Sequence, residues 1–255
     1  MRRARLLWAY IGRYFLTWLA WRSFAFTLVA NQAVTPLIGL AVWSTALPDR
    51  PELTRYYLCL LLARLVTVSY ESHTFSTRIY GGDLVEDLLR PHPPIIAPLA
   101  ENLAIRVWHL IIGAPVLLVV LLVTGPGIEL GSVAVALPAM GLAAAIRFLF
   151  TYLLALSAFW TERAHAMVSF GSTLIFLLGG EAAPLQMLPA ALQPWAGALP
   201  FRAMNGFPAE LAAGLLSPGE AATGFGWQVI WLLVFAALAA AVWRAGLRRY
   251  TAVGG

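Results

Sequence analysis

The segment RIYGGDLVEDLLRPHPP, residues 78–94, organises the chain, because it interrupts sequence that is otherwise apolar enough for a membrane. Acidic and basic side chains crowd into it: Arg78, Asp83, Glu86, Asp87 and Arg90. A charged segment between two long apolar stretches is typical of a loop that leaves the membrane. The orientation of the apolar stretches on either side therefore follows from the side of the membrane on which this loop lies.

The same segment predicts a short amphipathic helix over residues 83–90. Gly81 and Gly82 break the preceding structure, Asp83 suits an N-cap, and Pro91 stops the helix. One apolar stripe follows from the helical spacing of Leu84, Val85, Leu88 and Leu89. Two turns of helix are marginal in water, so this helix needs a surface to lie against.

Composition places the whole chain in a membrane. Of 255 residues, 60% are hydrophobic and only 11% are charged, more apolar surface than a soluble domain of this size can bury. The net charge of +5 comes from arginines at the ends of apolar runs, without the interleaved polar residues of a nucleic-acid surface. The single Cys59 excludes a disulfide framework, and the N-terminus lacks the pattern of a removable signal peptide.

We expect an all-α polytopic membrane protein with six transmembrane helices in a single domain, 1–255. An N-terminal helix lying in the membrane interface precedes them at 1–21, where arginines mix with Trp and Tyr. Apolar runs of spanning length predict membrane spans at 23–46, 56–75, 98–124, 132–160, 166–187 and 225–244. Residues 184–215 are rich in proline yet apolar, which favours two outer re-entrant short helices over a solvated loop.

The arginine distribution predicts the orientation of these spans. Outer segments contain Arg50, Arg55 and Arg202, whereas inner segments contain a larger set: Arg2, Arg3, Arg5, Arg13, Arg78, Arg90, Arg163, Arg244, Arg248 and Arg249. Positive charge accumulates in the cytoplasm. Both termini and the helix at 83–90 are therefore expected on the cytoplasmic side.

Charged residues within the spans need protein or water partners, because they are costly against lipid. Arg64 and Glu71 are seven residues apart, so in a continuous helix they share a face. This favours an ion pair between them, and a polar translocation path is the alternative. Arg106 is a further candidate for a buried charge near the inner end of the third span. Arg147 lies deep in the fourth span, and either Glu101 or Glu71 is a possible partner.

Motifs for catalysis or metal binding are absent from the sequence. Without any lysine there is no Walker A motif, and neither H-E-x-x-H nor G-x-S-x-G occurs. Glu162 and His165 are three apart, which is half of a metal site without a second half. We therefore expect no metal site, no cofactor bound by this chain and no catalysis by it.

Taken together, the segments resemble the type-2 ABC exporter permeases. The shared features are six spans, the N-terminal interfacial helix, a short cytoplasmic helix after the second span and an apolar outer segment after the fifth. Two local patterns look more narrowly like small bacterial six-span permeases encoded beside a separate ATPase. One runs from Gly82-Asp83-Leu84 to Leu88-Leu89-Arg90-Pro91; the other begins at 159–161 and continues through 179–180, 184–185, 188–189, 199–201, Pro208 and Gly214.

The resemblance implies a role for the segment around 83–90. In that family this helix is the coupling helix, which docks in a groove of a P-loop ATPase. Leu84, Leu88 and Leu89 would be its apolar contacts, with Glu86, Asp87 and Arg90 at the rim. The resemblance also implies two ATPase subunits carrying ATP and Mg, a second permease copy or related permease, surrounding membrane lipid, and the bacterial cytoplasmic (inner) membrane.

Family likeness further implies a translocation path along the second and fifth spans. Its candidate lining residues here are Ser69, Glu71, His73, Ser172 and Thr173. The outer helices would cover the exit.

The rival hypothesis is a membrane-embedded enzyme acting on a lipid-soluble substrate. It would use polar side chains at the inner ends of the second and third spans: Glu71, His73, Glu101, Arg106 and His109. A secondary transporter is a third class, but the inverted repeats and broken helices typical of such transporters are not visible.

Overall fold

The computed structural model describes residues 2–125, 127–161 and 164–250, and within these ranges every regular element is a helix. The first two are α1, Arg2–Ala20, and α2, Arg22–Ala46. Glu162 and Arg163, both named above, and the side chains of Arg2, Arg3 and His165 lie outside what the structure describes.

The predicted second span is not one helix. α3, Pro51–Thr67, ends before an extended residue, Val68, and the chain turns helical again as α4, Glu71–Tyr80. Side chains from the following long helix satisfy the interrupted backbone: Arg106 Nε and Asn102 Nδ2 donate to the Val68 carbonyl oxygen at 3.1 and 3.2 Å. This break places Arg64 and Glu71 on different helices, so the predicted ion pair between them is wrong.

The charged segment contains α5, Leu84–Leu88, and leads into α6, Ile96–Thr124. After the outer turn come α7, Leu130–Leu156, and α8, Ala164–Leu178. The last long helix is α12, Pro218–Leu247, which begins seven residues before the predicted span. Ser217 and Glu220 form a capping box at that start, with Pro218 in the first turn.

By length and apolar composition, the described part of the chain has four helices that can cross a membrane: α2, α6, α7 and α12. α8 is apolar but shorter, and α3 contains Arg55 and Arg64. Six spans are therefore not established by helix length.

Between α8 and α12 the chain folds into a compact apolar cap. It has a 3-10 turn at Leu185–Met187, then α9, Gln193–Ala198, α10, Pro200–Met204, and α11, Gly206–Ala212. We expected two short helices here, and the described residues form three. α11 is buried along its whole length against α3 and α7, which explains why this proline-rich segment is apolar.

One core joins the cap to the bundle. Tyr56 and Leu60 of α3, Met140 of α7 and Phe207 of α11 pack together without solvent exposure above a few per cent. α1 lies against α6 instead, where Phe15 stacks on Trp108 at 5.0 Å between ring centroids. Trp8 and Leu16 of α1 remain exposed, as a helix lying on a membrane surface requires.

Candidate functional site

The loop around α5 is held at its start by Gly82. Gly82 adopts a positive φ of 87°, which a side chain would resist, and its carbonyl oxygen accepts a 2.8 Å hydrogen bond from the Tyr250 hydroxyl. Pro91 follows the helix. Asp83 occupies the N-cap position, but its side chain makes no capping hydrogen bond. The helix spans five residues, shorter than the predicted 83–90.

α5 divides its side chains between an inner and an outer face. Leu84 and Asp87 are fully buried in this chain, so neither is available as the surface contact that the sequence suggested. Leu88 is 39% exposed and Leu89 is 81% exposed, and the Glu86 side chain is 70% exposed. The free face is therefore an apolar pair beside one acid; we call Glu86, Leu88 and Leu89 the α5 knob.

Buried Asp87 anchors the knob through two arginines. Its carboxylate lies 2.7 Å from Arg78 of α4 and 3.2 Å from Arg90, while Arg90 also donates a 3.0 Å hydrogen bond to the Tyr10 hydroxyl of α1. Tyr10, followed by Asp87 and Glu86, raises the pKa of Arg90 above its ordinary value, so this arginine keeps its charge. α5 is thus attached to α1 and α4, and its loop to the end of α12.

A second polar cluster ties the cap to the bundle. Arg64 of α3 pairs with Glu181 at 2.8 Å and donates to Gln32 of α2 at 2.9 and 3.2 Å. Asn205 donates to the other oxygen of Glu181 at 2.7 Å and accepts from Thr67 at 3.1 Å. These interactions join α2 and α3 to Glu181, which lies between α8 and α9, and to Asn205, which lies between α10 and α11.

Arg147 does not pair as the sequence suggested. Among the described residues it takes part in no ion pair, and its Nε has no hydrogen-bond partner. Glu71 instead accepts a 2.9 Å hydrogen bond from Thr151, one turn further along α7. Glu101 lines a polar cleft beside α1, with Arg13 and Arg78. Arg106 donates to backbone carbonyls at Val68 and Ala144.

The candidate path residues fall into two groups. Ser69, Glu71 and His73 lie at the α3–α4 break, where Ser69 accepts from Asn102 at 3.1 Å and His73 stacks on Tyr70. Ser172 and Thr173 are exposed on α8. Which of these residues line a path stays a prediction.

The residues of the enzyme hypothesis have different immediate partners in the structure. His109 is fully buried on α6, with Nδ1 2.8 Å from the Ile105 carbonyl oxygen of its own helix. Glu71 faces Thr151, and Glu101 opens into the cleft beside α1. No group of three or more metal-ligating side chains occurs among the described residues.

The fold and site define an all-helical multi-pass membrane protein that presents a braced polar loop. The sequence profile of the ABC-2 family transporter proteins matches residues 49–254, and the chain belongs to this family. The family provides the membrane component of transporters, so this chain is a transport permease. No curated protein and no solved structure matches the chain significantly.

Sequence reasoning missed Glu181, Gln32 and Asn205 as a set. The available signal was the composition of their surroundings: Gln32 lies within an apolar span, and Glu181 follows two glycines at the end of another apolar run. Isolated polar side chains in such places need partners. Their pairing with Arg64 depends on the tertiary fold and could not be read from spacing.

Proposed function

We propose that this chain is the permease subunit of an ATP-driven type-2 ABC exporter, and that the α5 knob docks on a separate ATPase subunit. The observation that carries the proposal is the knob itself: Leu88 and Leu89 are exposed on a helix held by buried ion pairs. These two leucines contribute little to their own chain's core and present a shaped apolar surface to a groove. Family membership supports an ATPase as the protein that provides this groove.

Lipid is a poorer partner for the knob than protein. Asp83 and Glu86 are exposed beside the two leucines. The cytoplasmic leaflet carries negative charge and repels carboxylates held at its surface. A protein groove with matching polar groups accepts both the leucines and the acids.

The braces around α5 provide a route from the ATPase to the membrane helices. Two permeases would pair around a central path while two ATPases close on ATP beneath them. Movement of α5 would reach α4 through Arg78, α1 through Tyr10, and the end of α12 through Tyr250. ATP drives this shift only by binding the closed arrangement more tightly.

We further propose six crossings with both termini in the cytoplasm of a bacterial cell. α3 and α4 together form the second crossing, and α8 forms the fifth. α3 and α8 are 17 and 15 residues long, about 26 and 22 Å of helix, and the residues that follow each extend its reach. Ser69, Glu71, His73, Ser172 and Thr173 would line the path, with the cap of α9–α11 over its outer end.

Affinity purification from native membranes tests the docking role. We expect the tagged chain in mild detergent to retain a P-loop ATPase, and the Leu89→Asp variant to retain at least about tenfold less, because a buried unpaired carboxylate is costly. Leu192→Asp is the matched control, since Leu192 is also exposed but lies in the cap. Equal ATPase recovery with Leu89→Asp, or no ATPase with the unaltered chain, would refute the proposal.

A further inference from the structure

An apolar groove opens on the side of the bundle where α7 and α12 run together. It encloses about 300 Å³. The lining is almost entirely carbon: Pro93, Pro94, Tyr152, Ala236, Ala240 and Trp243 all contribute. The alanines belong to α12, and the two prolines precede α6.

The groove lies along a helix that is a candidate membrane span. Ala236, Ala240 and Trp243 share one face of α12, a candidate membrane span, and Ala236 to Trp243 covers about 10 Å along the helix. Trp243 stands at the end nearest α5, and tryptophan favours the level of the lipid headgroups. The long axis of the groove therefore runs from the headgroup level into the hydrocarbon.

Unpaired positive charge follows directly beyond the groove. Arg244 is four residues after Ala240 and continues the same helix face, and Arg248 lies one turn further. Arg244, Arg248 and Arg249 are exposed, and none takes part in the ion pairs of the described residues. Three such cations at the headgroup level attract an anion.

We propose that this groove is a binding site for one anionic phospholipid, with an acyl chain along Ala236–Trp243 and the phosphate on the Arg244–Arg249 cluster. The site goes beyond the exporter assignment and does not depend on it. A second copy of the chain is a poor occupant, because a two-fold interface here would place this arginine cluster close to the same cluster of the other copy. A lipid satisfies both the apolar lining and the cationic end.

Native mass spectrometry of the purified full chain tests the site, with phosphatidylglycerol and phosphatidylcholine of identical acyl chains as competing probes. We expect one retained phosphatidylglycerol, preferred over phosphatidylcholine by roughly tenfold or more. The Arg248→Gln/Arg249→Gln variant should lose most of this preference. Arg5→Gln/Arg22→Gln removes two other exposed arginines and should keep it.

Filling the groove tests the acyl-chain half of the site. Ala240→Trp should abolish retention of either lipid, whereas Leu238→Trp, at an exposed position on the opposite face of α12, should leave it unchanged. Equal retention by these two variants would overturn the proposal, as would a preference that survives loss of Arg248 and Arg249. A change in the mass of the permease assembly with Ala240→Trp, without lipid loss, would assign the groove to a subunit interface instead.

Discussion

At the scale of single residues, Glu181 connects more of the molecule than any sequence pattern suggests. It compensates the buried charge of Arg64 and accepts from Asn205, so one carboxylate joins α3 to the cap. The side-chain oxygen of Gln32 of α2 accepts a further hydrogen bond from Arg64. Buried ion pairs of this kind are strongly coupled: removing one partner leaves the other charge uncompensated.

Glu181→Gln should therefore lower stability by about 3–5 kcal/mol. The neutral amide leaves the Arg64 charge buried, and an amide nitrogen facing Asn205 Nδ2 would oppose two donors. The midpoint of thermal unfolding in detergent measures the loss. Glu129→Gln is the matched control, because Glu129 is exposed in the turn before α7; a similar midpoint for both variants would contradict the role of Glu181.

Gly180→Ala should destabilise the fold more than Gly125→Ala. Both glycines have positive φ, 85° and 55°, so alanine strains each backbone by about 1–2 kcal/mol. Only at Gly180 would the new methyl group also overlap the Tyr56 hydroxyl, which donates a 2.7 Å hydrogen bond to the Gly180 carbonyl oxygen. The two thermal midpoints separate these causes, and equal shifts would show that the Tyr56 contact adds nothing.

At the scale of elements, α5 shows what sequence patterning can and cannot reveal. The charged residues, the glycines before the helix and Pro91 after it were sufficient to predict a short helix between two apolar regions. Patterning assigned Leu84 and Leu88 to one stripe, yet Leu84 is buried and Leu88 is exposed. Which face of α5 points inward depends on the contacts that Arg78 of α4 and Tyr10 of α1 make with its loop. These contacts form only when the chain folds.

Asp87→Asn should release α5 from its braces. An amide cannot compensate Arg78 and Arg90 together, so we expect the backbone amides of residues 84–90 to exchange hydrogen at least about tenfold faster. Glu86→Gln is the matched control, since Glu86 is largely exposed and lies 3.8 Å from Arg90. Exchange that is unchanged by Asp87→Asn would mean that α5 is held by Leu84 alone.

At the scale of the whole molecule, helix bounds follow continuous apolar runs of the sequence and depart from interrupted ones. α6 and α7 lie within a few residues of their predicted spans because hydropathy alone defines them. The second predicted span conceals the break at Val68, since the side chains that satisfy its backbone, Arg106 and Asn102, come from a different helix. Hydropathy indicates which residues avoid water. It does not indicate that a backbone carbonyl oxygen accepts a hydrogen bond from a side chain of another helix.

The number of membrane crossings distinguishes two possible topologies of the chain. If α3–α4 and α8 cross as proposed, the turns on either side of each lie on opposite faces of the membrane. If only α2, α6, α7 and α12 cross, residues 49 and 83 share a face, and so do residues 160 and 219. The buried charge of α3, Arg64, makes its crossing depend on partners in the other helices, which is why helix length leaves the choice open.

Single-cysteine labelling decides between them. In a Cys59→Ser background, cysteines are placed one at a time at exposed positions and labelled in intact cells with a membrane-impermeant maleimide: Asp49, Asp83, Glu129, Trp160 and Gly219. Six crossings predict labelling at 49, 129 and 219, with 83 and 160 reacting only after permeabilisation. Joint labelling of 49, 83, 160 and 219, with 129 on the other face, would instead establish four crossings. The α5 knob would then share a face with the cap, and the assignment of α5 as the site of a cytoplasmic ATPase would no longer hold in its proposed orientation.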